Sequence, residues 1–576
     1  MAPPFNREDG TMPAVQASPT LAPASARWPT LVLEAAAALA VLACLALAAA
    51  WYVRHPIINA YDEATHLRNT LSDALMLRQG EFAALRDSLF LWNRWLPPGL
   101  RVVGLPIAAA TWGWAPDALR LSAAAVFVLT VGALWMALRP LGGRAGAAAG
   151  VVLYSVSPVN LYGAQNFMTE AVLHLCAALA LWLLVAEARA PRTSVFRMGA
   201  LGLVLGLGTL TKLTFLPAFG LIWGGLSLYR WWRERDGGAL AIRLFLPAAA
   251  LLLVAWPHYV INGTRYLGYA KATAQGFAFD VWPETGLAFA ARAVRSLIAE
   301  VFGPAGAVAL VLGFALVPFA WRRLDEPQRL MAALAALASV PTLLAFFGSN
   351  NQTDRYLGMS IIGFSAVIAV GIGGALRSER ARRPAGAAAG VIGGATLAQV
   401  AWASLIAWQG PSGAWPAAGL DIASWRGNTH CEYSELASVV PPVASGPTNV
   451  GVFGTNMRVN NSTIALGFLQ AGRRVASNAF GMYEEGIDWD AVLADAAAHD
   501  VLVMPKSLEG RDVFPINRYI PEFEERLTGA GVVFEKSLDL AGGPGPECAI
   551  RVLVPKRGTG PRPARGPFRS EVNTLP

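Results

Sequence analysis

The stretch "WPTLVLEAAAALAVLACLALAAAWYVRHPIINAYDEATHL", from Trp28 to Leu67, decides the fold class of this chain. Its first part, up to Val53, is almost entirely apolar and is long enough to cross the roughly 30 Å hydrocarbon core of a bilayer. Since a signal-peptide core has only about 7–15 apolar residues, we predict a first membrane span that is retained. Two adjacent carboxylates, Asp62 and Glu63, follow where the chain leaves the membrane, so their chemistry has to be explained.

The composition extends this prediction to the whole chain. Of the 576 residues, 55% are hydrophobic and only 15% are charged, and the mean hydropathy is +0.43, whereas a soluble protein carries about 25% charged residues. The net charge of +8 does not indicate a nucleic-acid partner, because the Arg residues cluster in short loops between apolar runs. The sequence therefore predicts a polytopic helical membrane protein surrounded by lipids. Its abundance of Ala, Gly and Arg is typical of a GC-rich bacterial genome.

Apolar runs of about 20 residues recur along the first 409 residues. One shorter run, 102–111, is flanked by Pro and is predicted to be re-entrant or to lie in the interface. The first long loop contains two amphipathic stretches, 66–77 and 81–98, which predict helices lying in the interface. Eleven transmembrane helices are predicted, near 28–53, 118–138, 145–161, 169–188, 198–211, 213–229, 240–259, 297–320, 329–347, 357–376 and 385–408.

Five Arg-rich loops orient these spans. In the eleven-span order all five fall on the same side as the N-terminus, and the positive-inside rule assigns that side to the cytoplasm. We call the opposite, extracytoplasmic side the outer face. It receives the first loop with Asp62 and Glu63, the "NFMTE" turn that ends at Glu170, and everything after Trp408. This order predicts a bacterial inner-membrane protein whose functional site is extracytoplasmic.

The chain divides into four predicted segments. These are a disordered cytoplasmic N-terminus (1–27), a transmembrane domain (28–409), an extracytoplasmic α/β domain (410–556) and a flexible tail (557–576). In the third segment "NVGVFG", "VLVMPK" and "CAIRVLVPK" predict buried strands, and "STIALGFLQAGR", "WDAVLADAAAHD" and "YIPEFEERLTGAG" predict amphipathic helices between them. Its two Cys residues could pair in a disulfide outside the cytoplasm, with chance placement as the alternative. They are Cys431 and Cys548.

The adjacent carboxylates admit several interpretations. "DEATH" resembles the acidic box of a helicase-type ATPase, but such a motor needs a G-x-x-x-x-G-K-[ST] loop, which "GLGTLTKLT" inside an apolar run does not supply. Asp62 and His66, at i and i+4, share a helix face, whereas Asp62 and Glu63 do not. Carboxylates at this place suit a general base or, with His66 and Glu170, a divalent cation. The alternative is a solvated helix start that the helix dipole favours.

Basic residues are predicted to reach the same outer face. Lys212 interrupts apolar runs, and an intramembrane ionisable group is costly enough to indicate a function; the alternative is that Lys212 snorkels to the interface. Arg355, with Tyr356 beside it, precedes the tenth span and suits bidentate phosphate recognition; the alternative is an ion pair with Asp354. The loop after the seventh span begins with further basic and polar candidates, which are His258, Arg265 and Lys271.

In the order of these motifs the chain resembles the GT-C superfamily of membrane glycosyltransferases, in the branch of the protein O-mannosyltransferases and the lipid A aminoarabinose transferase. The matching stretches are "YDEATHL", "NFMTEAVL", "GLGTLTKLTFLP", "AWPHYV" and "DRYL", within about residues 28–410. The resemblance implies transfer of a sugar from a polyprenyl-phosphate carrier to an envelope lipid, glycan or protein, with no cofactor required and a divalent cation compatible with it. The C-terminal α/β domain departs from the best-known members, which leaves the acceptor open.

The resemblance also implies roles for single residues. Asp62 matches the family's first-loop catalytic Asp, with Glu63 beside it, and Glu170 matches the second acidic position. Lys212 and Arg355 match basic positions near the carrier phosphate. One displacement by an activated hydroxyl would invert the anomeric centre. Two other classes stay open: a transporter or flippase for a lipid-linked glycan, which would place its ionisable groups at mid-membrane, and a non-catalytic envelope assembly protein.

Overall fold

The structure, a computed structural model, describes eleven stretches of the chain. The predicted disordered N-terminus lies outside the described residues up to residue 23, and the predicted tail lies outside them entirely. The described stretches are 24–54, 61–91, 96–275, 286–347, 354–409, 431–443, 446–456, 458–480, 487–506, 515–542 and 548–556.

The first part of the chain is helical, as its apolar runs predict. Helices α1 to α15 carry the membrane-spanning segments and the first loop. Their bounds are α1 Ala24–Arg54, α2 Tyr61–Arg78, α3 Phe82–Arg86, α4 Gly99–Ala110, α5 Ala115–Val156, α6 Pro158–Gln165, α7 Thr169–Arg189, α8 Val195–Thr211, α9 Phe215–Glu234, α10 Gly237–Gln275, α11 Gly286–Ser296, α12 Gly303–Trp321, α13 Glu326–Phe347, α14 Gly358–Arg377 and α15 Arg382–Gln409.

Within the described residues, seven helices, rather than eleven, are long and apolar enough to cross a membrane. Three predicted spans are helices outside that set: α8 has only 17 residues, α9 ends in the polar and aromatic "YRWWRE", and α13 begins with "EPQR". Two further predicted spans, 118–138 and 145–161, correspond to the two helical halves of α5, which non-helical geometry at Gly143 separates, and they are counted once among the seven. The protein is a multi-pass membrane protein, but its predicted span count is not confirmed.

The bend in α5 occurs at Gly143, whose φ of 69° lies in the region that favours glycine. Leu138 and Gly150 would be about 18 Å apart in a straight helix. Instead, a Cβ added at Gly150 would lie 2.4 Å from Leu138 Cδ1, and the rings of Phe127 and Tyr154 stack with centroids 5.7 Å apart. The two halves of α5 therefore fold back on each other as a hairpin.

The first loop forms a compact helical layer rather than an extended connection. Helix α2 is followed by α3, by a π-helical turn Asp87–Leu91 and by α4. The buried Asp73 of α2 accepts hydrogen bonds from Ser88 Oγ at 2.5 Å and from Arg101 Nη1 of α4 at 2.7 Å. Because both members of this ion pair are buried, the three pieces are fixed to one another and hold α2 in place.

The C-terminal region contains a mixed five-stranded sheet in the order β2-β1-β3-β5-β4. β1 pairs in parallel with β2 and β3, and β5 pairs antiparallel with β3 and β4. The three predicted strands are β1, β3 and β5, the three predicted helices are present as α17, α18 and α19, and β2 and β4 were missed. The bounds are α16 Leu436–Val439, β1 Thr448–Phe453, α17 Asn461–Gln470, β2 Val475–Phe480, α18 Trp489–Ala497, β3 Val501–Pro505, α19 Ile520–Gly529, β4 Phe534–Leu540 and β5 Ile550–Pro555.

This region is docked on the first-loop helix α2 through α17. Leu466 and Leu469 of α17 are buried in the same hydrophobic core as the membrane helices. Thr65 and Ser462 share a hydrogen bond of 2.9 Å between their hydroxyl oxygens. Arg474 Nη1 lies 2.8 Å from a carboxylate oxygen of Glu81. The α/β region therefore covers the part of the first loop that follows Asp62.

A disulfide closes the α/β region. Cys431 and Cys548 are bonded, with their Cα atoms 5.1 Å apart and 117 residues between them in sequence. Cys44 and Cys176, on α1 and α7, are buried free thiols. The bond joins the segment that precedes α16 to the residues directly before β5.

Candidate active site

Asp62 and Arg355 meet although 293 residues separate them. Asp62 lies in the first turn of α2, and Arg355 lies in the 3-10 turn Asp354–Leu357 that precedes α14. Arg355 Nη2 donates a short hydrogen bond to Asp62 Oδ2. This contact places the tenth predicted span beside the first loop, and Arg355 therefore has a carboxylate partner other than its neighbour Asp354.

Glu170 links the same Arg to a second cation. It lies in the first turn of α7, is 1% exposed, and its Oε1 atom is 3.3 Å from Lys212 Nζ and 3.8 Å from Arg355 Nε. Thr169 Oγ1 donates to its other carboxylate oxygen at 3.1 Å. We call Asp62, Arg355, Glu170 and Lys212 the outer site. Four residues predicted from separate stretches of sequence are thus brought together.

Lys212 reaches Glu170 because the chain leaves helical geometry at this residue. Helix α8 ends at Thr211, Lys212 has extended backbone angles (φ −159°, ψ 124°), and α9 begins at Phe215. Gly99, at the start of α4, lies so close that an added Cβ would be 2.3 Å from Thr211 Oγ1. The short "KLT" break is therefore held against the first-loop layer, and the Lys212 side chain keeps 18% exposure.

A second close approach brings the Arg355 turn against α7. Gly358 begins α14, and a Cβ added there would lie 2.1 Å from His174 Nε2, one turn after Glu170 on α7. A larger residue at 358 would require the His174 side chain or the start of α14 to shift. Sequence reasoning missed this residue, since nothing in the local pattern distinguishes it from the other glycines of apolar helices.

The outer site contains two carboxylates and two cations, so its formal charge is zero. Glu170 is fully enclosed, whereas 42% of the Asp62 side chain is exposed. Burial would raise the pKa of the Asp62 carboxyl, but the guanidinium of Arg355 outweighs it and holds that pKa below its ordinary value. Asp62 is therefore an ionised and accessible carboxylate at neutral pH.

His66, one turn after Asp62, is buried beside this pair. Burial lowers the pKa of its imidazole to about 4, against the opposing effect of the Asp62 and Glu170 carboxylates. His66 is consequently neutral at pH 7 and adds no charge to the outer site. His66 was predicted as an additional site residue, and a neutral imidazole at this position can serve there by hydrogen bonding or packing.

Glu63, predicted as a second catalytic carboxylate, does not join the outer site. It is 1% exposed, and its Oε1 atom accepts hydrogen bonds from Arg120 Nε at 3.3 Å and from the backbone N–H of Phe167 at 2.9 Å. It thereby fixes the "NFMTE" turn and the start of α5 to α2. The reason is helical geometry, because adjacent residues on α2 point in different directions. The position of Glu63 is that of a residue that orients Glu170.

The remaining candidate residues lie away from the outer site or outside the described residues. His258 of α10 is buried, with its Nδ1 atom 3.5 Å from Asn262 Nδ2, and Asn262 also donates to the carbonyl of Phe90 at 3.5 Å. The described side-chain contacts of His258 are therefore with residues of α10, Asn262 and Tyr259, and Asn262 in turn contacts the end of the first-loop layer. The side chains of three other candidates lie outside the described residues, and these are Arg265, Lys271 and Tyr356.

The sequence is compatible with a divalent cation bound by Asp62, His66 and Glu170. In the described part of the chain, no three His, Cys, Asp or Glu side chains come together in a way that could hold a metal ion. Between Asp62 and Glu170 the positive charge is supplied instead by Arg355.

These positions can be compared with known proteins. Residues 107–253 match the sequence profile of the dolichyl-phosphate-mannose-protein mannosyltransferase family. Over these residues the chain is similar to that family of GT-C membrane glycosyltransferases. The match to this GT-C profile contains Glu170 and Lys212, whereas Asp62 and Arg355 lie outside it. Among curated protein sequences, none matches significantly.

Solved structures support the GT-C fold. The chain is similar to ArnT from Cupriavidus metallidurans bound to undecaprenyl phosphate, with 14% identity, 89% of this chain and 97% of that chain covered, and a TM-score of 0.51. It is also similar to ArnT from the same organism in the apo state, with 15% identity, 90% and 98% covered, and a TM-score of 0.50. At this identity the likeness concerns the fold, and it extends over the C-terminal region as well as the membrane helices.

Proposed function

We propose that the protein transfers a sugar from a polyprenyl-phosphate carrier to a hydroxyl of an envelope acceptor, which is a lipid, a glycan or a protein. The observation that carries this proposal is the contact chain Asp62–Arg355–Glu170–Lys212, which combines an accessible carboxylate with two cations at one end of the helix bundle. The similarity of residues 107–253 to the mannosyltransferase family and the fold shared with a protein solved with undecaprenyl phosphate support the same donor class.

Asp62 serves as the general base. Its carboxylate takes the proton of the acceptor hydroxyl, the hydroxyl oxygen forms a bond to the anomeric carbon, and the bond from that carbon to the phosphate oxygen breaks. The electron pair of the broken bond stays on the phosphate. Asp62 suits this role because it is ionised at neutral pH and 42% of its side chain is accessible.

Lys212 and Arg355 serve the leaving group. The carrier phosphate changes from a diester with one negative charge to a monoester whose second pKa is about 6, so negative charge accumulates as the bond breaks. Cations that interact more strongly with this product-like charge than with the donor lower the barrier. A general acid is therefore not needed on the leaving-group side.

The pairing of Asp62 with Arg355 gives the donor a second effect. A phosphate that binds Arg355 competes with Asp62 for the guanidinium, and the loss of that partner raises the pKa of the Asp62 carboxyl. The base becomes stronger when the donor is bound. Glu170 stays as the buried carboxylate that holds both cations in position, since it is within 4 Å of each.

The stereochemical part of the proposal is inversion. In this mechanism Asp62 acts as the base and the acceptor oxygen itself attacks the anomeric carbon. A single displacement therefore gives a product whose anomeric configuration is opposite to that of the donor. Transfer with an undecaprenyl-phosphate sugar of known configuration, followed by NMR of the product's anomeric proton, tests this. A product that keeps the donor configuration would require a covalent intermediate and would contradict the single displacement.

The location of the site is proposed to be extracytoplasmic, on the bacterial inner membrane. The clustered Arg loops support this orientation through the positive-inside rule. A periplasm-active reporter fused after Pro576 should give signal, and a cytoplasm-active reporter should not. The reverse result would place the α/β region and the outer site inside the cell.

The function itself is tested with purified protein in lipid vesicles. We expect radiolabel on undecaprenyl-phosphate-linked sugars to move covalently to envelope extract, and this movement to stop in Asp62→Asn. Label that crosses the vesicle membrane while it stays on the carrier would identify a transporter or flippase instead. Label that neither moves nor crosses, in folded protein supplied with a panel of carrier-linked sugars, would favour an assembly role.

A further inference from the structure

A cavity of about 270 Å³ lies between the C-terminal region and the segment that leads into α5. Trp112, Trp114 and Asp117 line it on the membrane-domain side, and Glu432 and Gln470 line it on the side of the α/β region. None of the four outer-site residues belongs to its lining. Its size is near the lower end of ordinary ligand pockets, which begin at about 300 Å³.

The α/β side of this cavity is a rigid wall. Cys431 lines the cavity and is bonded to Cys548. The backbone N–H of Glu432 donates to the carbonyl of Gly542 at 2.6 Å, and Ser434 Oγ donates to Glu432 Oε1 at 2.7 Å. A carboxylate that is exposed to the cavity is thus oriented by a disulfide, a backbone hydrogen bond and a side-chain hydrogen bond, so little entropy is lost when it binds a partner.

The opposite wall is aromatic and acidic. Trp112 and Trp114 form a 3-10 turn directly before α5, and Trp114 is 54% exposed. The guanidinium of Arg78 lies 5.6 Å from the centre of the Trp112 ring and supports it from one side. Asp117, in the first turn of α5, forms a hydrogen bond with Tyr52. The Trp and Asp side chains therefore have fixed supports of their own.

We propose that this cavity binds an uncharged sugar residue of the acceptor. This inference rests on the proposed function. A sugar ring has an apolar C–H face that packs on indole and a rim of hydroxyls that donate to carboxylates and amides. Asp117, Glu432 and Gln470 supply those acceptors. The lining in the described part of the chain contains two carboxylates and no Lys or Arg, since Arg78 contacts Trp112 but is not among the lining residues. A phosphorylated or acidic ligand is therefore disfavoured.

The position of the cavity relative to the outer site supports this assignment. Leu71 of α2 lines the cavity, and it follows Asp62 by nine residues, about 14 Å along the helix. Thr463 of α17 also lines it, next to Ser462, which is hydrogen-bonded to Thr65 on α2. A glycan held in the cavity therefore lies along the α2–α17 junction, from which an extended acceptor reaches Asp62.

Saturation-transfer NMR on the purified full-length protein tests the cavity directly. The probes are methyl glucoside, methyl galactoside and methyl mannoside, with glucose 6-phosphate as the anionic comparator. We expect signal from at least one methyl glycoside and a decrease of about fivefold or more in Trp114→Ala and in Glu432→Gln, the scale of losing one binding partner. Trp232→Ala is the matched control, because Trp232 is also exposed but lies near the end of α9, and it should keep the wild-type signal.

Three results would overturn the cavity proposal. They are no signal from any methyl glycoside with folded wild-type protein, undiminished signal in the combined Trp114 and Glu432 variant, and equal or stronger signal from glucose 6-phosphate. Binding of undecaprenyl phosphate, measured on the same samples, distinguishes a failure of the cavity proposal from a failure of the proposed donor binding. If any of those three results occurs while the carrier still binds, the cavity proposal is wrong and the proposed function stands. If the carrier does not bind, the result counts against the proposed function.

Discussion

Two ion clusters lie at opposite ends of helix α7, and they are built differently. Glu170 of the outer site is at its start, and Glu187 is 17 residues later, about 25 Å along the helix. We call Glu187 and the residues tied to it the inner network. It consists of Glu187, Arg197, Arg230, Glu234 and Arg243, which are joined by ion pairs of 2.5 to 3.2 Å.

The difference between the clusters is how completely the carboxylates are used. In the inner network Glu187 is 1% exposed and accepts from Arg197 through one oxygen and from Arg230 and Arg243 through the other. In the outer site Asp62 keeps 42% exposure. A saturated buried carboxylate holds helices together, whereas an accessible one can exchange its partner for a substrate. The exposure of the carboxylate, and not the presence of ion pairs, therefore distinguishes the outer site from the inner network.

The largest expected effect is that of Asp62→Asn. The change keeps the shape and removes the base, so turnover should fall about 10²-fold or more. Because Asp62 is partly exposed, the thermal unfolding midpoint should stay close to that of the wild type. Transfer from an undecaprenyl-phosphate sugar by detergent-purified protein measures the first quantity and a dye-free thermal scan the second. Wild-type turnover in the folded variant would exclude Asp62 as the base.

Glu187→Gln should have the opposite profile. It leaves three Arg side chains in the inner network with one carboxylate fewer, and breaking a buried ion pair costs about 3–5 kcal/mol. The unfolding midpoint should therefore fall strongly, while turnover per folded molecule stays within about twofold of wild type, since Glu187 is about 25 Å from Glu170. A stable variant with greatly reduced turnover would show that the two clusters are not functionally distinct.

The smallest expected effect is a pH dependence from His66. Its pKa is about 4 in the folded protein and about 6.5 when unfolded, so between these values the unfolded chain binds a proton that the folded one does not. The contribution of His66 to the free energy of unfolding should be fully present above pH 6.5 and should decrease as the pH falls towards 4. The unfolding midpoint of wild type should drop more between pH 6.5 and 4.5 than that of His66→Gln. Parallel curves for the two proteins would contradict the lowered pKa.

Much of the outer site could be predicted because its residues are chemically conspicuous. A Lys between apolar runs and an Arg or carboxylate at the end of a span are costly in a membrane, and the topology assigned all of them to one face. The contacts that the sequence could not provide are those of Glu63 with Arg120 and Phe167. They depend on which face of α2 meets α5, and the polar composition of α2 does not fix that face.

The missed features of the fold have physical reasons as well. β2 and β4 are the two edge strands of the sheet; the "FEKSLDL" of β4 is mostly exposed and the "VASNAF" of β2 contains small and polar residues, so neither has the apolar run of a central strand. The two helices expected on either side of residue 143 are present, and Gly143 turns the chain between them without a loop. The seven helices long and apolar enough to span, within the described residues, are fewer than the eleven expected where helices are short, fold back or carry charges at an end.

The affinity of the protein for the carrier depends most directly on the two cations of the outer site. Undecaprenyl phosphate is titrated into the wild-type protein, into the combined Lys212→Ala and Arg355→Ala variant, and into Arg197→Ala, a control from the inner network. Charge-assisted contacts contribute roughly 1.5–3 kcal/mol each, and two that share one phosphate give less than the sum. The outer-site variant should therefore bind at least about tenfold more weakly, and Arg197→Ala should bind like wild type. Wild-type affinity in the folded outer-site variant would contradict the central claim that these two cations hold the carrier phosphate.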